Sequence, residues 1–149
     1  MCDYSLTSLR SRLAVEGESL VVYLFPTGSL GFTSPDELQS SKAQVPSWRS
    51  WFSPREIPCA VCIPHGTRLR LWNVPRRLQA KLGVAASAEV AFVQRSMDVG
   101  THRDGIRVGN NQEIQLQRLA EGLSATVLSL TPQTESQAVV DHWFEGAPA

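Results

Sequence analysis

The chain is 149 residues long, enough to bury a core without disulfide or metal staples, and 42% of its residues are hydrophobic. Fourteen Lys and Arg balance fourteen Asp and Glu, so there is no net field to draw the protein onto a polyanion, which argues against nucleic acid as its main partner. No run approaches the ~18 apolar residues of a membrane-spanning helix. The early Asp3 breaks the pattern of a signal peptide, and three cysteines, an odd number, predict free thiols in a cytoplasmic compartment.

Taken in order, residues 6–13 are mixed in character. Val15-Glu16-Gly17-Glu18 then turns the chain into Leu20-Val21-Val22-Tyr23-Leu24-Phe25. Six consecutive apolar or aromatic residues predict a strand covered on both faces, and Pro26-Thr27-Gly28 ends it. Ser34-Pro35-Asp36-Glu37 is a capping box with proline at the first helical position, which predicts a short, largely polar helix from Pro35 to about Lys42. Next comes a proline-bounded aromatic cluster, Trp48, Trp51 and Phe52, with Arg55 beside it. It reads either as a ligand-binding stacking platform or as an aromatic flap over one end of a barrel.

Ile57-Pro58-Cys59-Ala60-Val61-Cys62-Ile63-Pro64-His65-Gly66 predicts a buried strand and a turn. In residues 68–72, Leu69 and Leu71 face inward while Arg68 and Arg70 face outward. Asn73 is placed to cap a helix over 74–82, stacking Val74, Leu78 and Leu82 and stopped by Gly83. Strands follow at 89–94 and 106–108, then the turn Gly109-Asn110-Asn111, a half-exposed strand over 113–119, and a strand over 126–130. Three short segments ending in glycine, at Gly17, Gly66 and Gly122, each precede a β run, which reads as shared turn chemistry. The end of the chain carries a second capping box (Thr134, Gln137) and pairs Val139 with Trp143 and Val140 with Phe144. This predicts an amphipathic helix that docks on its own domain or makes a homo-oligomer.

The run C-x-x-C-x-x-H invites a zinc or redox reading. On an extended strand, however, residues three apart face opposite ways, so Cys59 groups with Val61 and Ile63 while Cys62 groups with Ala60. The two thiols then cannot share a metal, and His65 reads as a solvated turn residue. A distributed site passes this test. Cys2, Cys62 and His102 are the candidate ligands for zinc or another transition metal, with Asp104 orienting the imidazole. Cys2, His102 and Asp104 are equally the ingredients of a thiol-nucleophile site.

The start Met1-Cys2-Asp3-Tyr4-Ser5, the Ala60-Val61-Cys62 strand with its following turn, His102 with Asp104, and Leu119-Ala120-Glu121-Gly122 through Leu128 together resemble a group of small uncharacterised bacterial proteins. That resemblance implies a bacterial origin and brings no activity with it. The Met1-Cys2 start alone is also superficially similar to class II glutamine amidotransferases and abasic-site-crosslinking proteins, which continue with glycine where Asp3 stands.

Short strands separated by turn signals predict a mainly β fold: a small antiparallel β-barrel or sandwich of six to eight strands with two or three short helices. The expected organisation is a single barrel-like domain over 1–131 and a helix and tail over 132–149. Two functional expectations follow. One is a metal- or thiol-based site built from Cys2, Cys62, His102 and Asp104. The other is a non-catalytic binding or oligomerising module that uses Trp48, Trp51, Phe52 and Arg55 or the C-terminal helix.

Overall fold

In the computed structural model, which describes residues 9–43, 57–94 and 103–130, nine strands form one curled but open sheet accompanied by two short helices. The strands are β1 (Ser11–Leu13), β2 (Ser19–Leu24), β3 (Leu30–Thr33), β4 (Ala60–Cys62), β5 (Arg68–Trp72), β6 (Ala88–Gln94), β7 (Asp104–Arg107), β8 (Glu113–Gln115) and β9 (Ser124–Ser129). The helices are α1 (Pro35–Ala43) and α2 (Arg76–Leu82). This is the mainly β class that the turn spacing predicts.

The sheet order is β1-β4-β3-β2-β9-β5-β6-β7-β8. Two sequence-local groups, one from each half of the chain, are joined by the last strand, which inserts between β2 and β5 and pairs antiparallel with both. The β1–β4 pair is parallel, and the other pairs are antiparallel.

One face of the sheet carries the main core. Leu20 and Val22, Phe32, Val61 and Ile63, Leu69 and Leu71, Val90 and Phe92, Ile106, Ala125 and Val127 are all buried in one cluster. The alternation that predicts Leu69 and Leu71 inside holds, since a strand sends successive side chains to opposite faces. A second, smaller cluster of Phe25, Ala60 and Cys62 gathers Leu9 and Tyr23, with Tyr23 and Phe25 edge to face at 5.0 Å. The four core residues of β4 and its exit thus divide as the period of two requires, Val61 and Ile63 to one cluster and Ala60 and Cys62 to the other.

The three glycine turns repeat one device. Glu18, Thr67 and Leu123 each donate their amide to the carbonyl three residues back, at 3.2 Å, and the glycine before each has positive φ: +83°, +85° and +88°. These are the marks of a type II turn. Each turn also grips a strand distant in sequence. Gly17, Gly66 and Gly122 donate at 2.8 Å to the carbonyls of Val127, Phe92 and Val22, and those three residues donate back to Glu18, Thr67 and Leu123. The turn entering β2 therefore holds β9, and the turn entering β9 holds β2.

Local sequence signals differ from the structure at four points. α1 follows its capping box, with Ser34 Oγ accepting from the Glu37 amide at 3.2 Å. α2 begins at Arg76 rather than at residue 74, because Asn73 takes φ +53° and Pro75 is extended at ψ 144°. Gly83 caps α2 in the left-handed conformation as expected. The single strand expected over 113–119 breaks after Gln115 into a 3-10 turn, Leu116–Arg118. β1 and β3 carry no clear signal, one being three mixed residues and the other containing Gly31. The expected C-terminal helix, and with it the boundary at 131/132, lies outside the described residues.

Candidate functional site

The distributed Cys2, Cys62, His102 and Asp104 site is not supported. Among the described residues no group of three or more His, Cys, Asp or Glu is placed to hold a metal. Cys2 and His102 lie outside the described residues, as do Trp48, Trp51, Phe52 and Arg55. The two members that are described stand apart for a topological reason. Cys62 on β4 and Asp104 on β7 are separated by six strand spacings, each about 4.8 Å along the sheet. They also face opposite ways. Cys62 belongs to the smaller cluster, whereas Asp104 shares its parity with the core residue Ile106, is 4% exposed, and accepts a long hydrogen bond from Gln94 Nε2 at 3.5 Å. Among the described residues Cys59 is a free, buried cysteine, whereas Cys62 is disulfide-bonded, which corrects the expectation of free thiols for that residue.

His65 is more than a solvated turn residue. The Gln94 backbone amide donates to His65 Nδ1 at 2.9 Å, so the imidazole fastens the end of β6 and its Nδ1 lone pair is already occupied.

Two concave regions are lined by described residues. A cleft of about 480 Å³ lies between Arg12, Glu18, Ser19 and the start of α1 at Ser34–Asp36. Its main charged pair is internally satisfied. Arg12 Nη2 and Nη1 donate to Glu18 Oε2 and Oε1 at 2.7 and 3.1 Å, and the Val15 amide donates to Glu18 Oε1 at 2.6 Å. Burial opposes the Glu18 charge, but Arg12 and the Val15 amide outweigh it and hold the carboxyl below its ordinary value. A second hollow, about 210 Å³, lies between the end of α2 and β8.

Among the described residues, the open surface with the most recognition chemistry is the outer face of β5 and its neighbours. Arg68, Arg70 and Trp72 share one parity, opposite to buried Leu69 and Leu71. Trp72 is 41% exposed. Its Nε1 donates to Thr126 Oγ1 on β9 at 2.9 Å, and the Arg70 guanidinium carbon lies 5.7 Å from its ring centroid. Arg68 and Arg70 share one carboxylate, Glu89 Oε1 on β6, at 3.2 and 3.7 Å. Ala91 sits between Arg68 and Arg107 in the same cross-strand row, and Arg107 is bidentate to Glu113 Oε1 at 2.9 and 2.6 Å. Two guanidiniums on one carboxylate leave this end of the face positive. The outward alternation of Arg68 and Arg70 is legible in the sequence. Trp72 ends the same strand, whereas the neighbours that hold the stripe, Glu89 on β6 and Thr126 on β9, lie 17 and 54 residues beyond it in sequence.

Comparison with protein-family models, with curated proteins and with solved structures found no match. The fold therefore defines the class, a mainly β protein with a curled nine-stranded sheet. No helix among the described residues is long and apolar enough to cross a membrane.

Proposed function

We propose that the chain is a non-catalytic binding module that takes an acidic peptide segment on the outer face of β5, β9 and β6. The observation that carries this reading is the Arg70–Trp72 pair, an exposed ring oriented by Thr126 beside guanidiniums that outnumber their carboxylate. A guanidinium matches a carboxylate in shape and binds it bidentately, and an exposed indole face receives an apolar or aromatic side chain beside it. A net charge of zero provides no field for a nucleic-acid polyanion.

The test is fluorescence anisotropy with a labelled peptide of alternating Glu and Trp, run beside a labelled oligothymidylate. Arg70→Gln and Trp72→Ala should each weaken peptide binding about fivefold or more, the loss expected of a central interface residue. Unchanged affinity in both variants refutes the reading. Tighter binding of the oligonucleotide, with a steep salt dependence, replaces the peptide with nucleic acid.

A further inference from the structure

Glu89 is a carboxylate built into the binding face, and strand pairing sets its position. On β6 it lies directly opposite Arg70, while Ala91, two residues on, lies opposite Arg68. Directly opposed and diagonal side chains on one face of an antiparallel pair are within reach of each other. One acid therefore serves both arginines, with Oε1 at 3.2 Å from Arg68 Nη2 and 3.7 Å from Arg70 Nη2. The strand on the other side adds no charge to these rows, since Ser124, Thr126 and Ser129 of β9 stand opposite Trp72, Arg70 and Arg68. Arg107, in the row of Arg68, is taken up by Glu113.

The two arginines use Glu89 differently. Arg68 donates a hydrogen bond to it, whereas the Arg70 separation of 3.7 Å is that of an ion pair without one. Among the described residues the Arg70 guanidinium donates no hydrogen bond, so its donors remain available to an incoming carboxylate beside the Trp72 ring. Two guanidiniums and one carboxylate leave one net positive charge. A single ligand carboxylate neutralises it. A phosphorylated side chain carries up to two negative charges, and the second is left unbalanced next to Glu89.

We propose that Glu89 is the specificity-determining residue of this face, the fixed charge that matches the arginine pair to a single carboxylate and sets it against a phosphorylated side chain. This deepens, and rests on, the reading of the face as a surface for acidic peptides. Selectivity is a difference of affinities, and a built-in repulsion produces it as well as an attraction does. The side chains of Arg68, Arg70 and Glu89 are 37%, 43% and 44% exposed, so their charges act through water. There, one unit charge about 4 Å from another changes an affinity about fivefold. Removing the Glu89 charge relieves a dianion of one more unit of repulsion than a monoanion, which shifts the preference between them by that factor.

The experiment measures fluorescence anisotropy of the full chain with two labelled probes, a tryptophan–glutamate–tryptophan peptide and its counterpart with phosphoserine at the centre. One acidic residue in each probe keeps a shifted register from changing the charge count, and about pH 8 holds the phosphoserine dianionic. The wild type should bind the glutamate probe at least as tightly as the phosphoserine probe. In Glu89→Gln the affinity ratio should move about fivefold toward phosphoserine, and in Glu89→Asp, which keeps the charge, it should stay near the wild-type value. Any loss of arginine positioning weakens both probes and drops out of the ratio. A ratio unchanged in Glu89→Gln, a ratio that moves equally in Glu89→Asp, or a wild type that prefers phosphoserine overturns the inference. If the glutamate probe then still binds in a way that Arg70→Gln abolishes, the acidic-peptide face itself stands. If Arg70→Gln changes nothing, or neither probe binds the wild type, both readings fail.

Discussion

Arg12 and Glu18 form the residue-scale feature with the clearest thermodynamic consequence. Their side chains are 34% and 16% exposed, and the pair also protects the edge of the sheet. Arg12 Nη1 donates to the Leu13 carbonyl at 3.1 Å, and Glu18 accepts from the Val15 amide, so backbone groups on and just beyond β1 are occupied by side chains rather than open to another chain. Because the Glu18 carboxyl is held below its ordinary 4.5, its contribution is complete above that value and is lost as pH falls through the depressed one. Glu18→Gln should cost about 1 kcal/mol at neutral pH, with partial exposure limiting the value. The gap between variant and wild type should close on acidification. Thermal unfolding midpoints measured from about pH 6 to about pH 3 check this, and a gap that widens toward acid reverses the assigned sign.

At the scale of elements, the three glycine turns explain how β9 holds two halves of a chain together. The turn before β2 and the turn before β9 each grip the other strand through a reciprocal pair of backbone hydrogen bonds. This locks the register of the central pair from both ends. Gly122 has φ +88° and no atom within 4 Å of where a Cβ would stand, so an alanine there meets backbone strain and no clash. Gly122→Ala should lower stability by about 1–2 kcal/mol through that strain alone. Chemical denaturation read by circular dichroism checks it, and a neutral result would mean that the turn relaxes out of the left-handed region without loss.

At the scale of the whole molecule, the sheet curls without closing, and one side chain bridges the gap. Gln117, on the 3-10 turn after β8, donates from Nε2 to the Leu30 carbonyl at 2.9 Å and accepts from the Leu30 amide at Oε1, 2.8 Å. The side-chain amide thus pairs with β3 as a neighbouring strand would, joining the β7–β8 end of the sheet to a strand on the other side of β9. Gln117→Ala leaves both part-buried backbone groups of Leu30 without this partner and should cost about 2 kcal/mol. The urea midpoint reports the loss, and amide exchange at Leu30 should accelerate with it. If exchange there is unchanged, solvent has replaced the amide and the bridge contributes little.

The local part of this architecture was legible in the sequence. The alternation of Arg68, Leu69, Arg70 and Leu71, the capping box at Ser34, the stop at Gly83 and the opposite facing of Val61 and Cys62 all follow from helix and strand periodicity and from backbone preferences within a few residues. The shared turn chemistry at Gly17, Gly66 and Gly122 was legible for the same reason. What each turn grips was not. The pairing of Gly17 with Val127 spans the length of the sheet's chain and depends on β9 inserting between β2 and β5. The same non-local order separated Cys62 from Asp104 by six strand spacings and put them on opposite faces, which removed the expected metal or thiol site. It also brought Thr126 and Glu89 to Trp72, Arg68 and Arg70. Sequence by itself determined which residues turn, which alternate and which are buried, because those are properties of neighbours along the chain. Tertiary structure alone decided which side chains share a surface, because strand order is a choice among distant pairings that the period of two leaves open.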